Sequence, residues 1–163
     1  KDYIYSPQKI NNGLNLLVST KFDLYKYSDN QYQNLYTFKA GPIFEFGNFK
    51  KKLFDYTKIA LLPKTTISRG DSPFAFDQSA DNHSIEIYIT QQLFGPLLIK
   101  YSSEYNLDIN SSKYKKLFDN KYEIRWNRRA YNIGLFYEEG KESGGINFEI
   151  NSFNFMGYGN KFR

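Results

Sequence analysis

The chain has 163 residues, a length that fits one domain or part of one. Hydrophobic residues make up 40% of it, which excludes a disordered chain, and the absence of cysteine excludes disulfides, thiolate metal sites and thiol catalysis. The formal net charge is +5, but Lys and Arg are dispersed and only Lys50–Lys52 forms a run. This dispersion favours a solvated surface over a nucleic-acid site.

Aromatic residues are unusually abundant, at 19% of the chain, with 15 Tyr and 15 Phe. Both residue types favour strands, and Tyr also suits a boundary between apolar and aqueous surroundings. The mean hydropathy is −0.63, and no run approaches the roughly 20 apolar residues of a transmembrane helix. Strands of a membrane barrel alternate in polarity, so a low mean hydropathy does not exclude membrane insertion.

Alternation with a period of two predicts eight strands, and helical periodicity is hard to find. The predicted strands lie near residues 14–26, 34–46, 54–62, 85–94, 97–107, 120–127, 131–138 and 146–156. Pro42 predicts a bend or a break in the second strand. A slip in parity before Phe153 and Phe155 predicts a bulge in the eighth.

The connections between these strands differ at the two ends of the predicted sheet. Because no helix intervenes, neighbouring strands are expected to pair as antiparallel hairpins. One end receives the polar stretches SDNQYQ, residues 63–83, NSSKYKKLFDN and EGKESGG, and the other receives GNFKKKL, FGP and NRRA. Outer-membrane barrels show this asymmetry of long loops and short turns. The sequence therefore predicts an all-β antiparallel meander of about eight strands.

Gly95-Pro96 interrupts the stretch IEIYITQQLFGPLLIKYSSEYNL, yet the apolar residues stay on odd positions before and after it. A two-residue hairpin pairing Phe94 with Leu97 would exchange the two faces. An odd-length loop that pairs Leu93 with Leu97 keeps the faces separate. A single long, bent strand also preserves the parity.

Alternation alone leaves open whether the apolar faces contact a protein core or lipid. Strand lengths near the 9 to 11 residues of a bilayer crossing favour lipid, as does the loop asymmetry. So do aromatic residues near strand ends, namely Tyr25, Tyr27, Phe46, Phe94, Tyr105 and Phe155. We therefore expect residues 1–163 to form a single membrane β-barrel domain or a fragment of one. The alternative is a soluble β-barrel that binds a small apolar ligand, with Ile87, Ile99 and Trp126 enclosed at its centre.

The candidate site residues are basic. Lys100 and Arg125 lie on the polar faces of the fifth and sixth strands, and in a barrel they point into the lumen. There they could attract the phosphates or carboxylates of a ligand that passes through the lumen. Alternatively, they pair with Glu104 and Glu123 and keep the lumen hydrated. We expect no catalytic residue, metal site or cofactor, because the chain has one histidine and no catalytic or ligand motif.

The stretch SRGDSPFAFDQSADNHSIEIYITQQLFGPLLIKYSSEYNL, residues 68–107, resembles a family of cyanobacterial outer-membrane proteins described as a domain of unknown function. Its members look like the barrel of the lipopolysaccharide-assembly protein LptD. In that family a Ser-Pro-Phe-x-Phe-Asp loop precedes a strand ending in Thr-Gln-Gln-x-Tyr-Gly-Pro. The matching residues here are Ser72, Pro73, Phe74, Phe76, Asp77, Thr90, Gln91, Gln92, Phe94, Gly95 and Pro96. The segments FDYT, NRRAYNIGLFYEEG and INFEINSFNFMG are also similar, so the likeness covers about residues 45–157. Phe94 departs from the pattern, since it stands where Tyr is usual.

This resemblance implies an outer-membrane location and a role in delivering lipopolysaccharide to the outer leaflet. It implies membrane lipid and lipopolysaccharide as partners, with periplasmic assembly proteins or a plug subunit as further ones. It also implies that the chain is the C-terminal part of a larger barrel, since an LptD-type barrel has many more than eight strands.

Overall fold

One antiparallel sheet makes up almost all of the computed structural model, which describes residues 10–27, 31–70 and 82–150. Its strands are β1 (Gly13–Lys26), β2 (Tyr32–Phe46), β3 (Thr57–Gly70), β4 (His83–Phe94), β5 (Leu97–Asn106), β6 (Leu117–Asn127), β7 (Tyr131–Glu138) and β8 (Ser143–Ile150). Each strand pairs with the next in the order β1 to β8. The prediction of an all-β antiparallel meander of eight strands is confirmed. In the described residues β1 does not pair with β8, so the sheet is open and not a closed barrel.

Two strands differ from their predicted courses. β3 begins at Thr57 and runs to Gly70, past the predicted end at residue 62, because Lys64 and Thr66 continue the alternation that pairs with β2. β2 continues through Pro42, which pairs opposite Leu16 of β1, so the predicted bend or break does not interrupt the strand. Residues 40–42 instead lack partners in the β2–β3 ladder. The predicted bulge after residue 150 lies outside the described residues.

The β4–β5 hairpin corrects the predicted loop. Its turn is the two residues Gly95-Pro96, and Phe94 pairs with Leu97. The register shifts between Gln92 and Phe94, so Leu93 is the extra residue of a β-bulge. A two-residue turn alone would move the apolar residues of β5 to the other face of the sheet. The extra residue of the bulge returns them to the face that the apolar residues of β4 occupy. Turn and bulge together therefore give the same parity as the three-residue loop that the sequence predicts.

Directly opposed residues of neighbouring strands share a face, so the registers divide the sheet into two faces. We call them the apolar face and the polar face. The apolar face includes Leu14, Leu16, Val18, Phe22, Phe38, Phe44, Ile59, Leu61, Ile87, Ile89, Ile99, Ile124, Trp126, Ile133, Leu135, Ile146 and Phe148. Most of these side chains are exposed, with Leu16 at 75% and Ile146 at 72%.

The polar face is the better shielded of the two. Glu86, in the middle of β4, is only 7% exposed, and Lys100 and Arg125 are half-buried. Ile99, on the apolar side of β5, is exposed. A water-soluble sandwich buries its apolar side chains and exposes its polar ones, so this arrangement is the reverse of one. Ile87, Ile99 and Trp126 are thus not enclosed together at a centre.

Apolar burial among the described residues is confined to small sites. Phe49, Tyr56 and Leu98 form one cluster, joined by the partly buried Ile10. The rings of Phe49 and Tyr56 lie 4.1 Å apart between centroids. This cluster lies at the end of the sheet that holds the connections β2–β3, β4–β5 and β6–β7, which we call the turn end. The opposite end, with the connections β1–β2, β3–β4, β5–β6 and β7–β8, is the loop end.

Gly95 provides a test of the hairpin. Its φ of +50° lies in the left-handed region, where a Cβ costs about 1 kcal/mol. We expect Gly95→Ala to lower the free energy of unfolding by about that amount and Gly95→Asn by less, because Asn tolerates this conformation. Urea unfolding followed by the fluorescence of Trp126, the single tryptophan, measures both. Equal stability of the wild type and the alanine variant would contradict the turn.

Candidate functional site

Charges on the polar face balance one another. The described strands place seven cations and seven carboxylates on it, which gives no net charge. The cations are Lys21, Lys39, Lys58, Lys64, Lys100, Lys121 and Arg125, and the carboxylates are Asp23, Glu45, Glu86, Glu104, Glu123, Glu138 and Glu149. The positive excess of the chain is therefore carried elsewhere.

One ion-pair cluster links β2 to β5. Lys39 Nζ lies 3.0 Å from Glu86 Oε2, and Lys64 Nζ lies 3.5 Å from Glu86 Oε1 and 2.6 Å from Glu104 Oε2. Ser84 donates to Glu104, and Tyr88 donates to Glu86. Glu86 thus accepts hydrogen bonds from β2 and from its own strand, and it forms an ion pair with β3. Such a shared, shielded network holds its charges more firmly than isolated surface pairs do.

The second cluster contains both predicted site residues. Arg125 Nε donates to Glu123 Oε1 at 2.7 Å, and its Nη2 lies 3.3 Å from Glu149. Lys100 Nζ lies 3.8 Å from the other oxygen of Glu123. The structure therefore brings Lys100 and Arg125 together around one carboxylate. Arg125 is held on two sides, whereas Lys100 has the longer and weaker contact.

Gly134 leaves room for this second cluster. It pairs opposite Arg125, and a Cβ built on it would lie 2.9 Å from Glu123 Oε1 and 3.7 Å from Arg125 Nε. A side chain here would displace the carboxylate that Arg125 and Lys100 share.

The expected pairing of Lys100 with Glu104 is wrong. The two residues are four apart on one strand, which separates them by about 13 Å. Glu104 instead pairs across the sheet with Lys64. The partner strands decide which charges meet, so a local reading of the sequence missed Lys39, Lys64 and Glu86. All three lie at alternating sequence positions that belong to the polar face, and this alternation is the signal that could have indicated them.

Two neighbouring cavities on this face form what we call the polar groove. The first, of about 230 Å³, is lined from the polar face by Tyr88, Thr90, Lys100, Ser102, Lys121 and Glu123. The second, of about 210 Å³, shares Ser102 and Lys121 with the first and continues to Glu138 and Lys141. Ile89 and Tyr101 complete the lining of the first cavity, and most of its surface is apolar. Its hydroxyl groups and two lysines suit the anionic or hydroxylated groups of a ligand that also has an apolar part.

At the turn end, Gln92 fastens the β2–β3 connection, residues 47–56, to the β4–β5 hairpin. Its side chain is fully buried. Its Oε1 accepts from the Asp55 amide at 3.0 Å, and its Nε2 donates to the carbonyls of Gly95 at 2.8 Å and Lys51 at 3.3 Å. The Gly95 amide also donates to Lys52. We call this arrangement the Gln92 clamp.

Asp55 orders the tip of the same connection. Its Oδ2 accepts from the amides of Lys50 at 2.7 Å and Lys51 at 3.1 Å. These backbone hydrogen bonds, from Lys51 first and then from Lys50 and Asn48, lower the pKa of Asp55 below its ordinary value. The connection is thus folded back on the turn end and is not an open loop.

At the loop end, Asp108 has a comparable role. Its carboxylate accepts from the amides of Asn82 at 3.0 Å and Asn110 at 2.9 Å. The same hydrogen bonds lower the pKa of Asp108. The fully buried Asn106 supports this arrangement by accepting from the Asp108 amide at 2.7 Å. The β5–β6 connection is thereby tied to the chain that enters β4.

Comparisons with known proteins identify the family. The family model described as "Protein of unknown function (DUF3769)" matches residues 1–154. The chain therefore belongs to this family, and the resemblance seen in the sequence is confirmed to that extent. No curated protein and no solved structure matches. In the part of the chain that the structure describes, no helix has the length and apolarity needed to cross a membrane.

The structure explains part of the sequence motif. Gln92, Gly95 and Pro96 form the clamp and its turn, and Gln91 accepts a hydrogen bond from Thr57 at 2.7 Å. Phe94 bridges to Leu53 of the β2–β3 connection. The residues Ser72, Pro73, Phe74, Phe76 and Asp77 lie outside the described residues. The TQQLFGP segment thus has a structural role at the turn end, and of its residues Thr90 also lines the polar groove.

The clamp can be tested by removing Gln92. We expect Gln92→Ala to lower the free energy of unfolding by roughly 3 kcal/mol, because it leaves buried backbone groups without partners. It should also accelerate tryptic cleavage at Lys50, Lys51 and Lys52. Thr90→Ala, which removes a nearby polar-face side chain without touching the connection, is the control. Equal cleavage of both variants would show that Gln92 does not hold the connection.

Proposed function

We propose that this chain is a segment of an outer-membrane β-barrel that takes part in delivering lipopolysaccharide, without catalysis. The observation that supports it most is the arrangement of the faces. A broad band of exposed aliphatic and aromatic side chains covers one side of the sheet, while paired charges occupy the other. Lipid-facing apolar residues and an aqueous polar interior are the two sides of a membrane barrel strand.

The distribution of aromatic residues along the apolar face supports the same proposal. Phe46, Phe94 and Trp126 lie towards the turn end, and Tyr32 and Tyr105 lie towards the loop end. Between them the face carries aliphatic side chains together with further rings, such as Phe38, Tyr101 and Tyr122. Rings at both ends of the strands are typical of interfacial aromatic girdles. Tyr25 and Tyr27 do not belong to it, since Tyr25 has polar-face parity and Tyr27 donates to Gln33.

The open sheet supports a segment of a larger barrel. β1 and β8 each have one edge without a strand partner among the described residues. Unpaired backbone groups of this kind are not tolerated in hydrocarbon, so further strands must cover both edges in a membrane. A family likeness to LptD-type barrels, which have many more strands, agrees with this.

Transport of a glycolipid is supported by the resemblance and by the polar groove. Lys100 is the cation there with the longest ion-pair contact, and it stands beside the hydroxyls of Thr90 and Ser102. Phosphate and sugar groups are the parts of lipopolysaccharide that such a lining would contact. Cyanobacterial origin, periplasmic assembly partners and a plug subunit follow from the likeness to LptD-type proteins alone.

The soluble alternative is a barrel that binds a small apolar ligand inside. It requires the apolar residues to line an enclosed cavity. Leu16 and Ile146 are instead among the most exposed side chains of the sheet. This exposure favours the membrane proposal.

A charge on the apolar face separates the two alternatives. We expect Leu135→Arg to lower the free energy of unfolding in phospholipid vesicles by about 2 to 4 kcal/mol, because an arginine would enter hydrocarbon. Ile109→Arg, in the exposed β5–β6 connection, is the control and should change little. The measurement is reversible urea unfolding, in vesicles, of the larger barrel that contains this segment. Equal, small effects of both substitutions would contradict a lipid-facing β7.

Substitution of Lys100 tests whether the polar groove binds a glycolipid. We expect Lys100→Gln to weaken binding of purified lipopolysaccharide to the reconstituted protein about tenfold, because a charge-assisted hydrogen bond contributes about 1.5 kcal/mol or more. Lys21→Gln removes a polar-face cation at the sheet edge and should leave the affinity unchanged. Titration calorimetry or fluorescence gives both dissociation constants. An unchanged affinity for the Lys100 variant would remove the groove from the proposal.

A further inference from the structure

The turn end carries a concentrated positive charge. Lys50, Lys51 and Lys52 lie in the β2–β3 connection, and Arg128 and Arg129 lie in the β6–β7 connection, all of them exposed. The single carboxylate in these two connections, Asp55, is turned back onto the amides of Lys50 and Lys51. Unlike the polar face, this end of the sheet has no matching set of anions in its connections.

Backbone contacts bring the two connections together. The Gly95 amide donates to the Lys52 carbonyl at 2.6 Å, and the Asn127 amide donates to the Pro96 carbonyl at 2.9 Å. The β4–β5 turn therefore lies between them and contacts both. The five cations belong to one continuous surface, which we call the basic rim.

The apolar face reaches this rim directly. Leu53 and Phe54, next to the lysines, are exposed, and Leu53 bridges to Phe94. The rings of Phe94 and Trp126 make an edge contact with centroids 6.3 Å apart. The Arg128 guanidinium lies 5.1 Å from the Trp126 ring centre. Cations thus border the aromatic edge of the face that the proposed function places in hydrocarbon.

The loop end is different. Lys113, Lys115 and Lys116 lie in one connection there, but Asp108, Asp119, Glu139 and Glu142 lie at the same end. Lys113 lies over the Phe118 ring and Lys115 over the Tyr114 ring. Basic and acidic groups are mixed at this end, so the excess of cations is a property of the turn end.

We propose that the basic rim binds the headgroups of anionic phospholipids in the leaflet that surrounds the turn end. This inference rests on the proposed function, since it needs the apolar face to lie in the bilayer. In a membrane protein, exposed lysines and arginines just beyond an aromatic border lie at the level of the lipid phosphates. Each of these cations is attracted to an anionic membrane surface. The exposed side chains of Leu53 and Phe54 make the rim continuous with the apolar face. This continuity favours lipid, which offers both an anionic headgroup and hydrocarbon, over an acidic protein.

The test compares vesicles of phosphatidylcholine alone with vesicles that also contain phosphatidylglycerol. The larger barrel that contains this chain, in which further strands cover both edges of the sheet, is folded into each, and the share of protein that floats with the vesicles measures insertion. We expect the wild type to insert at least about tenfold more efficiently into the anionic vesicles at low salt. The variant K50Q/K51Q/K52Q should lose most of this preference. The matched control K113Q/K115Q/K116Q removes the same charge from the loop end and should retain it.

The outcomes separate the inference from the proposed function. Insertion into both kinds of vesicle without preference would overturn the basic rim as a lipid site and leave the membrane proposal standing. Equal loss of preference in both triple variants would overturn the rim as well, because net charge would then explain the effect. A preserved preference in K50Q/K51Q/K52Q would also overturn it. Insertion into neither kind of vesicle would overturn the membrane proposal itself.

Discussion

The pleat of the β-strand determines the organisation of this protein. Successive side chains point to opposite sides, and antiparallel registers keep opposed residues on the same side across seven strand pairs. One displaced residue would move a whole strand's apolar residues to the polar face. The bulge at Leu93 shows how the constraint is met, because it compensates for the two-residue turn that follows.

Because the charged side chains of the strands share one face, they pair with one another across the sheet. The sheet is not built around a conventional apolar core. Glu86 and Glu123 each form ion pairs with two cations, and the described polar face has no net charge. Desolvated charges are tolerated only when they are paired in this way. Among the described residues the buried apolar cluster is a small one around Phe49 and Tyr56, next to the Gln92 clamp at the turn end. The large apolar area that remains is the feature that a function must explain.

Much of the fold could be predicted from the sequence because alternation is a local signal. It indicated all eight strands and placed Ile99 and Lys100 on opposite faces. Other features depend on contacts between distant segments. Gln92 resembles any polar-face residue until the β2–β3 connection folds over it, and the partner of Lys100 depends on the β5–β6 register. The Gly95-Pro96 turn could not be distinguished from a longer loop, since both give the same parity.

The central claim is that the apolar face contacts hydrocarbon and the polar face contacts water. Because the chain has no cysteine, Ile99→Cys and Ser102→Cys place one spin label on either side of the same strand. In reconstituted vesicles, collision rates with oxygen, which concentrates in lipid, and with a water-soluble nickel complex report each label's surroundings. The account predicts that oxygen dominates at position 99 and nickel at position 102. The opposite pattern would contradict it.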